Sequence, residues 1–428
     1  MSSVAASGRF GCSRRAANTS SAARSGVAAR RRGWSVPVSP PGGWWVTGAP
    51  LGCPASYTEA MRILAIDIGT GTQDILLYDG LGPIENSPKL VMPSPTAVAA
   101  DAIRRATHAQ RAVVLTGVTA GGGPCGWALG DHLRAGLPAY ATPEAARTFD
   151  DHLEKVEADG VRLIGSDEAA HIEGEHVRLR DLDLDAVRTA LRAFGADDRI
   201  DAVAVGVFDH GAAPIEVSDR AFRFQHIARV LGREADARAF ATLPVHLEPS
   251  LTRARAVLDC VDGLPAVFMD NGPAAALGAL HDPIVAAAPL RVVLNLGNMH
   301  TLCFVMQGTR VLAVFEHHTG ELTPAQLANL VRELLAGGLT NEAVFGSSGH
   351  GALYIESGPF EPQLLAVTGP RRAELLPALA GGGLPPVHAA APHGDMMLSG
   401  CFGLLDGFAH RVPEAREAVA RLHGHGGA

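Results

Sequence analysis

From Met61 onward, short apolar runs alternate with stretches whose apolar residues recur at helical spacing, the pattern of an α/β chain. Arg62–Ile68 is the first strand expected. The turn Gly69-Thr70-Gly71-Thr72 follows, then a second strand over Asp74–Asp79 and a third over Lys89–Met92. The spacing predicts a helix from Thr96 to about Thr107, a strand over Ala112–Thr116, a glycine-rich loop over Gly117–Gly126 and a helix over Trp127–Ala135. Residues 143–200 are more charged and read as helices, with one small strand near Val161–Ile164. Val203–Phe208 is a buried strand ending at Asp209-His210-Gly211. Helical patterns cover 218–231 and 249–260, and the strand 265–269 runs into a helix over 272–280.

The last third repeats the opening. A shift of 228 residues lays Ile66-Asp67-Ile68-Gly69 on Leu294-Asn295-Leu296-Gly297, and Asp79-Gly80 on Gln307-Gly308. Each half therefore starts with a strand, a polar residue, a glycine turn and a second strand. Two such halves predict a bilobal molecule with its cleft between the two turns.

Composition narrows this picture. At 428 residues the chain exceeds what one core holds, since cores stop growing near ~250–300 residues. The expected division is an N-terminal extension over 1–60, an N-terminal lobe with insertions over 61–280 and a C-terminal lobe over 281–428. With 47% hydrophobic and 19% charged residues, the body is no disordered chain. No apolar run approaches the ~20 residues of a membrane span. Residues 1–60 carry seven Arg, no Lys and one acid, whereas the rest holds 29 bases against 43 acids, a net of −14. The leader is Ser-, Ala- and Arg-rich and lacks the apolar stretch of a secretory signal. It reads as a disordered extension from an upstream gene start, with a transit peptide as the alternative. The acidic body argues against nucleic acid and membrane as partners and for a cytoplasmic globule. It is expected to take a small-molecule substrate and, at most, a second copy of itself as a homodimer. The six cysteines are scattered, with no CxxC and no iron–sulfur run.

The chemistry concentrates in the turns. Between two central strands, Gly69, Thr70, Gly71, Thr72 and Gln73 expose backbone N–H groups and hydroxyls that an anion can approach closely, while Asp67 can hold Mg²⁺. That is equipment for the β- and γ-phosphates of a nucleotide; the plain alternative is a hairpin turn preceded by a polar residue. The second turn, with Asn295, Gly297, Asn298, His300 and Thr301, offers the opposing clamp. Asn295 lacks the charge that draws Mg²⁺. His300 meets phosphate or substrate, or is a satisfied structural histidine. The strand Leu364–Val367 ends in Thr368-Gly369-Pro370, a turn that can seat an adenine. Small residues mark two helices, one after Asp270-Asn271-Gly272-Pro273 and one opening at His393-Gly394-Asp395; such faces let backbones approach and shear. Asp209 is a candidate general base and His210 a candidate acid or metal ligand. With His317 they would serve a metal-assisted hydrolase. Thr116–Cys125 could form an anion or substrate loop, and Ser347–Gly351 a loop with a ligand-facing His350.

In this order, the Asp-x-Gly-Thr turn, Pro-Ala-Ala-Ala helix, second glycine turn, Thr-Gly-Pro turn and small-residue helix resemble the actin/Hsp70/sugar-kinase superfamily of ATPases. Its phosphate 1, connect 1, phosphate 2, adenosine and connect 2 motifs map onto 67–72, 270–280, 295–301, 367–372 and 393–408. The resemblance implies a bilobal actin-like ATPase (ribonuclease H-like) fold with duplicated lobes, ATP and Mg²⁺ as cofactors, and activity as a small-molecule kinase or ATP-dependent activator. A non-hydrolysing nucleotide sensor is the alternative that Asn295 suggests. More narrowly, ILAIDIGTGTQDILLYD, TGVTAGGGP, FDHG and NLGNMHT resemble an uncharacterised family labelled pyruvate formate-lyase activating enzyme. The three closely spaced cysteines that a radical-SAM activator needs are absent from the sequence.

Overall fold

In the computed structural model, which describes residues 60–424, the opening run forms β1 (Ile63–Ile68) and returns through the glycine turn as β2 (Thr72–Tyr78), antiparallel to it. β3 (Lys89–Pro93) pairs with the other side of β2. The chain then leaves this sheet. β4 (Val113–Gly117), β5 (Ala139–Ala141), β6 (Val161–Leu163) and β7 (Glu175–Leu179) build a separate parallel sheet in the order β6-β5-β4-β7. It returns with β8 (Ala202–Val207) and β9 (Ala266–Asp270), completing a sheet ordered β3-β2-β1-β8-β9. β8 is buried along its whole length, as a parallel strand covered on both faces requires. The expectation of helices with one small strand over 143–200 is corrected by β7. Only Val177 and Leu179 of its five residues are buried, too short an alternation to separate from a helix face.

The second half repeats the plan. β10 (Leu290–Leu296), β11 (His300–Gln307), β12 (Arg310–His318), β13 (Gly349–Tyr354), β14 (Leu364–Thr368) and β15 (Val387–Ala389) are ordered β13-β12-β11-β10-β14-β15. With the edge strand β13 set aside, strand order and directions match the first sheet: three antiparallel strands, then two parallel ones. This is the duplicated, actin-like ATPase architecture. The loop expected over Ser347–Gly351 is corrected at its end, where Gly-His-Gly, poor in strand formers, opens β13.

Two helices join the halves. Asn271–Ala279 follows the first sheet but packs on β10 and β14, and Ser399–Arg411 follows the second sheet but packs on β1 and β8. Their backbones touch. A Cβ on Gly278 would stand 1.6 Å from the Ser399 carbonyl oxygen, and one on Gly403 would stand 1.8 Å from that of Ala274. The second helix starts at Ser399, later than the sequence suggested, after a short turn at Pro392–Gly394. Among the described residues no helix is long and apolar enough to cross a membrane. The extension expected over 1–60 lies, up to residue 59, outside the described residues.

Candidate functional site

The two hairpin turns are built alike. Gly69 N–H donates to the Thr72 carbonyl at 2.9 Å, and Gly297 N–H donates to that of His300 at 3.0 Å. The residue after the third strand then ties down each turn: Ser94 N–H donates to Gly71 at 3.1 Å, and Thr319 N–H to Met299 at 2.8 Å. The turns meet, for a Cβ on Gly71 would lie 2.7 Å from Nδ2 of Asn298. Between them is a cavity of about 110 Å³, lined on one side by Asp67, Gly69, Thr70 and Thr72 and on the other by Asn295, Gly297, Asn298 and His300. Gly369 and Pro370 border the same space. Gly369 has φ +97°, and a Cβ there would fall 2.4 Å from the Leu296 carbonyl oxygen, so the close approach of this turn to the second hairpin requires glycine.

Charge gathers on the first hairpin. Antiparallel register sets Asp67 directly opposite Asp74. Like charges in that position destabilise a strand pair, and Oδ1 of each residue is buried with no partner. Burial first, then the Asp74 charge, pushes the Asp67 carboxyl well above the usual range, opposed by a hydrogen bond from Asn271. Burial, with Asp395 adding to it, raises Asp74 to about 7. Two unsatisfied hard oxygens that repel each other fit a divalent cation such as Mg²⁺, which supplies the missing charge. The helix Ser399–Arg411 closes over Asp67 so tightly that a Cβ on Gly400 would sit 1.8 Å from its Oδ2.

Other expected residues sit elsewhere. Asp209 is buried, and its oxygens accept from the Gly211 and Ala254 N–H groups at 2.8 and 2.9 Å. These two donors hold the carboxylate in place beside the larger cavity described below, which Asp209 also lines. Gln73 turns away from the cleft, its Nε2 donating to the Pro93 carbonyl at 3.1 Å. Thr301 is fully buried and shares a 2.9 Å hydrogen bond with the Thr319 hydroxyl. His317 is satisfied by the His318 carbonyl and the Ser347 hydroxyl, so the Asp209, His210 and His317 metal set does not form. Of the glycine-rich loop, the Ala120 and Gly121 N–H groups are taken by Thr148 Oγ1 and Asp181 Oδ1, which removes two of its anion donors.

A second cavity of about 240 Å³ adjoins the first and shares Gly69, Thr70, Phe208, Asn271, Met299 and His300 with it. His210, Arg147 and Asp151 also line it. Asp151 Oδ1 is buried without a partner, and burial raises its carboxyl. Beneath both cavities Arg223 is fully buried. It pairs with Asp270 from the first half and with Glu316 from the second (Nε to Oε2, 3.2 Å), and its guanidinium lies 4.0 Å over the Phe208 ring. Asp74, Asn271, Asp151 and Arg223 were not singled out from the sequence. Asp74 alone had a signal there, since a hairpin closed at residues 69–72 pairs it with Asp67.

A family model described as "Putative pyruvate format-lyase activating enzyme (DUF1786)" matches residues 120–374. No curated protein sequence matches the chain. Among solved structures, a ROK hexokinase from Thermus thermophilus is 13% identical, with 83% of this chain and 100% of that one covered at a TM-score of 0.30. A ROK family glucokinase from Streptomyces griseus, in complex with glucose and AMPPNP, is 14% identical, with 81% and 98% covered at 0.31. A Bacteroides thetaiotaomicron protein of actin-like ATPase fold and unknown function is 8% identical, with 78% and 93% covered at 0.31. The fold assignment itself rests on the duplicated strand order.

Proposed function

The chain belongs to the family whose model matches it, and we propose that it is a Mg²⁺- and ATP-binding protein acting as a small-molecule kinase or ATP-driven activator. One observation carries the reading: two hairpin turns with the same internal hydrogen bonds meet around one cavity, and unpartnered carboxylate oxygens stand at its edge. A phosphate chain between the turns would be met by the glycine backbone, the Thr70 and Thr72 hydroxyls and the Asn298 amide. Asp67 and Asp74 would hold Mg²⁺, which when bound neutralises charge on the transferred phosphoryl group. Gly369 and Pro370 would border the base. The adjoining cavity would take the substrate, with Asp151 placed to accept a proton from its hydroxyl. At about 110 and 240 Å³ the two spaces fall below the ~300–1,000 Å³ of ordinary ligand sites, so the lobes part to load and close to exclude water.

Isothermal titration with MgATP tests this. Saturable heat from the native protein and none from Asp67→Ala is the expected result. No saturable heat from the native protein removes ATP from the account, and equal saturable heats from the two remove Asp67 from the site. A second reading, binding without turnover, draws on the second hairpin, where Asn295 and Leu302 replace the acidic pair. Phosphate release across a metabolite panel separates the two, since a sensor releases none while retaining binding.

A further inference from the structure

Four histidines converge where the two halves meet. His210 comes from the loop after β8 in the first half. His300 opens β11, His318 ends β12 and His350 lies in β13, all in the second. A ring nitrogen from each of His210, His300 and His350 lies within 4.8 Å of the others. His350 is 1% exposed, and neither of its ring nitrogens has a hydrogen-bond partner; Nε2 of His300 is also buried and unpartnered. Three orphaned nitrogens in one place are unusual, because a buried polar group left unsatisfied costs about 1–3 kcal/mol. The other His-rich cluster, His281, Asp406 and His423, shows the ordinary solution, with Asp406 accepting from both histidines at 2.9 and 3.0 Å.

From this geometry we infer that His210, His300 and His350 form a binding site for a borderline divalent transition metal such as Zn²⁺, Fe²⁺ or Co²⁺, one that bridges the two halves of the fold. Three imidazoles with no thiolate suit such ions and suit Mg²⁺ or Ca²⁺ poorly. A tetrahedral site with metal–nitrogen bonds of about 2.0–2.1 Å needs nitrogens roughly 3.3 Å apart, and modest ring rotations reach that from the observed 4.8 Å limit. The rings are held for the purpose. His300 stacks on Phe208 at 3.8 Å with only 9° between planes, and His318, fixed by the Ser348 carbonyl at 2.9 Å, packs its ring 4.6 Å from His350. Neutral imidazole is the form whose lone pair binds metal, and the unpartnered nitrogens of His300 and His350 leave theirs free for it. Arg223 is paired with Asp270 and Glu316, which offsets part of the charge it presents to a cation. His210 and His300 face the 240 Å³ cavity, so a fourth coordination position opens toward the space assigned to substrate. That is the form of a catalytic rather than a closed structural site.

The site shares His300 with the wall of the phosphate cavity, but its test reads binding of the metal alone, so its failure and that of the nucleotide reading are distinguishable. The test strips the full-length protein with chelator and titrates it with Zn²⁺ and with Co²⁺. The expected result is one equivalent bound per chain, with visible Co²⁺ absorption of tetrahedral nitrogen ligation. Affinity should fall a hundredfold or more in His350→Ala and in His210→Gln, and stay unchanged in His423→Ala. His210→Gln serves if His350→Ala fails to fold by circular dichroism, since His210 borders the cavity. No stoichiometric binding by the folded native chain, or binding that His210→Gln leaves intact, overturns the assignment.

Discussion

The two hairpins share a scaffold and differ in charge. Both close with the same glycine-to-carbonyl bond and are tied down by the residue after the third strand. Yet the first sets Asp67 against Asp74, and the second sets Asn295 against Leu302. Leu302 packs into the core at 2% exposure, so the second pair has been absorbed into packing. The first has not: two carboxylates stay buried and short of partners at a stability cost that packing alone does not explain. A duplicated fold thus keeps one half as the charged site and the other as a neutral wall of donors. The helices that cover the hairpins follow the same division, with Gly400 facing Asp67 and Gly272 facing Leu302.

The most drastic way to break this comparison is to unfasten the halves. Arg223→Met leaves Asp270 and Glu316 buried without their shared cation. Urea unfolding should show a loss of about 3–5 kcal/mol. Next comes the contrast between the covering glycines. In Gly400→Ala the new methyl meets a carboxylate at 1.8 Å, and in Gly272→Ala it meets the Leu302 side-chain methyls at 2.8 and 3.0 Å. The first should cost about 3 kcal/mol and abolish MgATP binding. The second should cost about 1 kcal/mol, because Leu302 can shift.

The helix over the first hairpin is also anchored by Asp406. Burial would raise its carboxyl, but the charge and hydrogen bond of His281, then those of His423, hold it down at about 2. A depressed carboxylate contributes stability above its unfolded pKa and loses it as pH falls. Acid titration should therefore remove about 2 kcal/mol between pH 4 and 2, and Asp406→Asn should lack that limb. The smallest effect swaps the hairpins' own residues. Asp74→Leu copies the second half into the first. It should stabilise the protein without Mg²⁺ by about 1–2 kcal/mol while weakening Mg²⁺-dependent nucleotide binding tenfold or more. The reverse change, Asn295→Asp, should leave nucleotide affinity within about threefold, since no second carboxylate faces it.

Much of this was legible in the chain. The paired turns were, because strand, glycine turn and strand recur in the same local context at a fixed offset. The Thr-Gly-Pro turn and the small-residue helices were legible as glycine- and alanine-rich segments, and the structure adds the backbone contacts that demand glycine there. Partners set by register or by packing were not. Asp74 faces Asp67 only once the hairpin is closed, and Asp151 lines its cavity from a bend in the inserted segment, whose short, half-exposed strands imitate helix. The histidine cluster draws on residues 210, 300, 318 and 350, from four separate segments that share no spacing rule. Asp209, legible for its place at a strand end, lines the larger cavity with a backbone donor on each oxygen, a detail that only the folded loop supplies.

The central claim is that the two turns jointly hold the phosphates of a magnesium nucleotide. A crystal structure with Mg²⁺ and a nonhydrolysable ATP analogue tests it most directly. The account predicts phosphates touching both 69–72 and 297–300, with the cation beside Asp67 and Asp74. A nucleotide bound elsewhere, or held by one turn alone with the acidic pair empty, would contradict it.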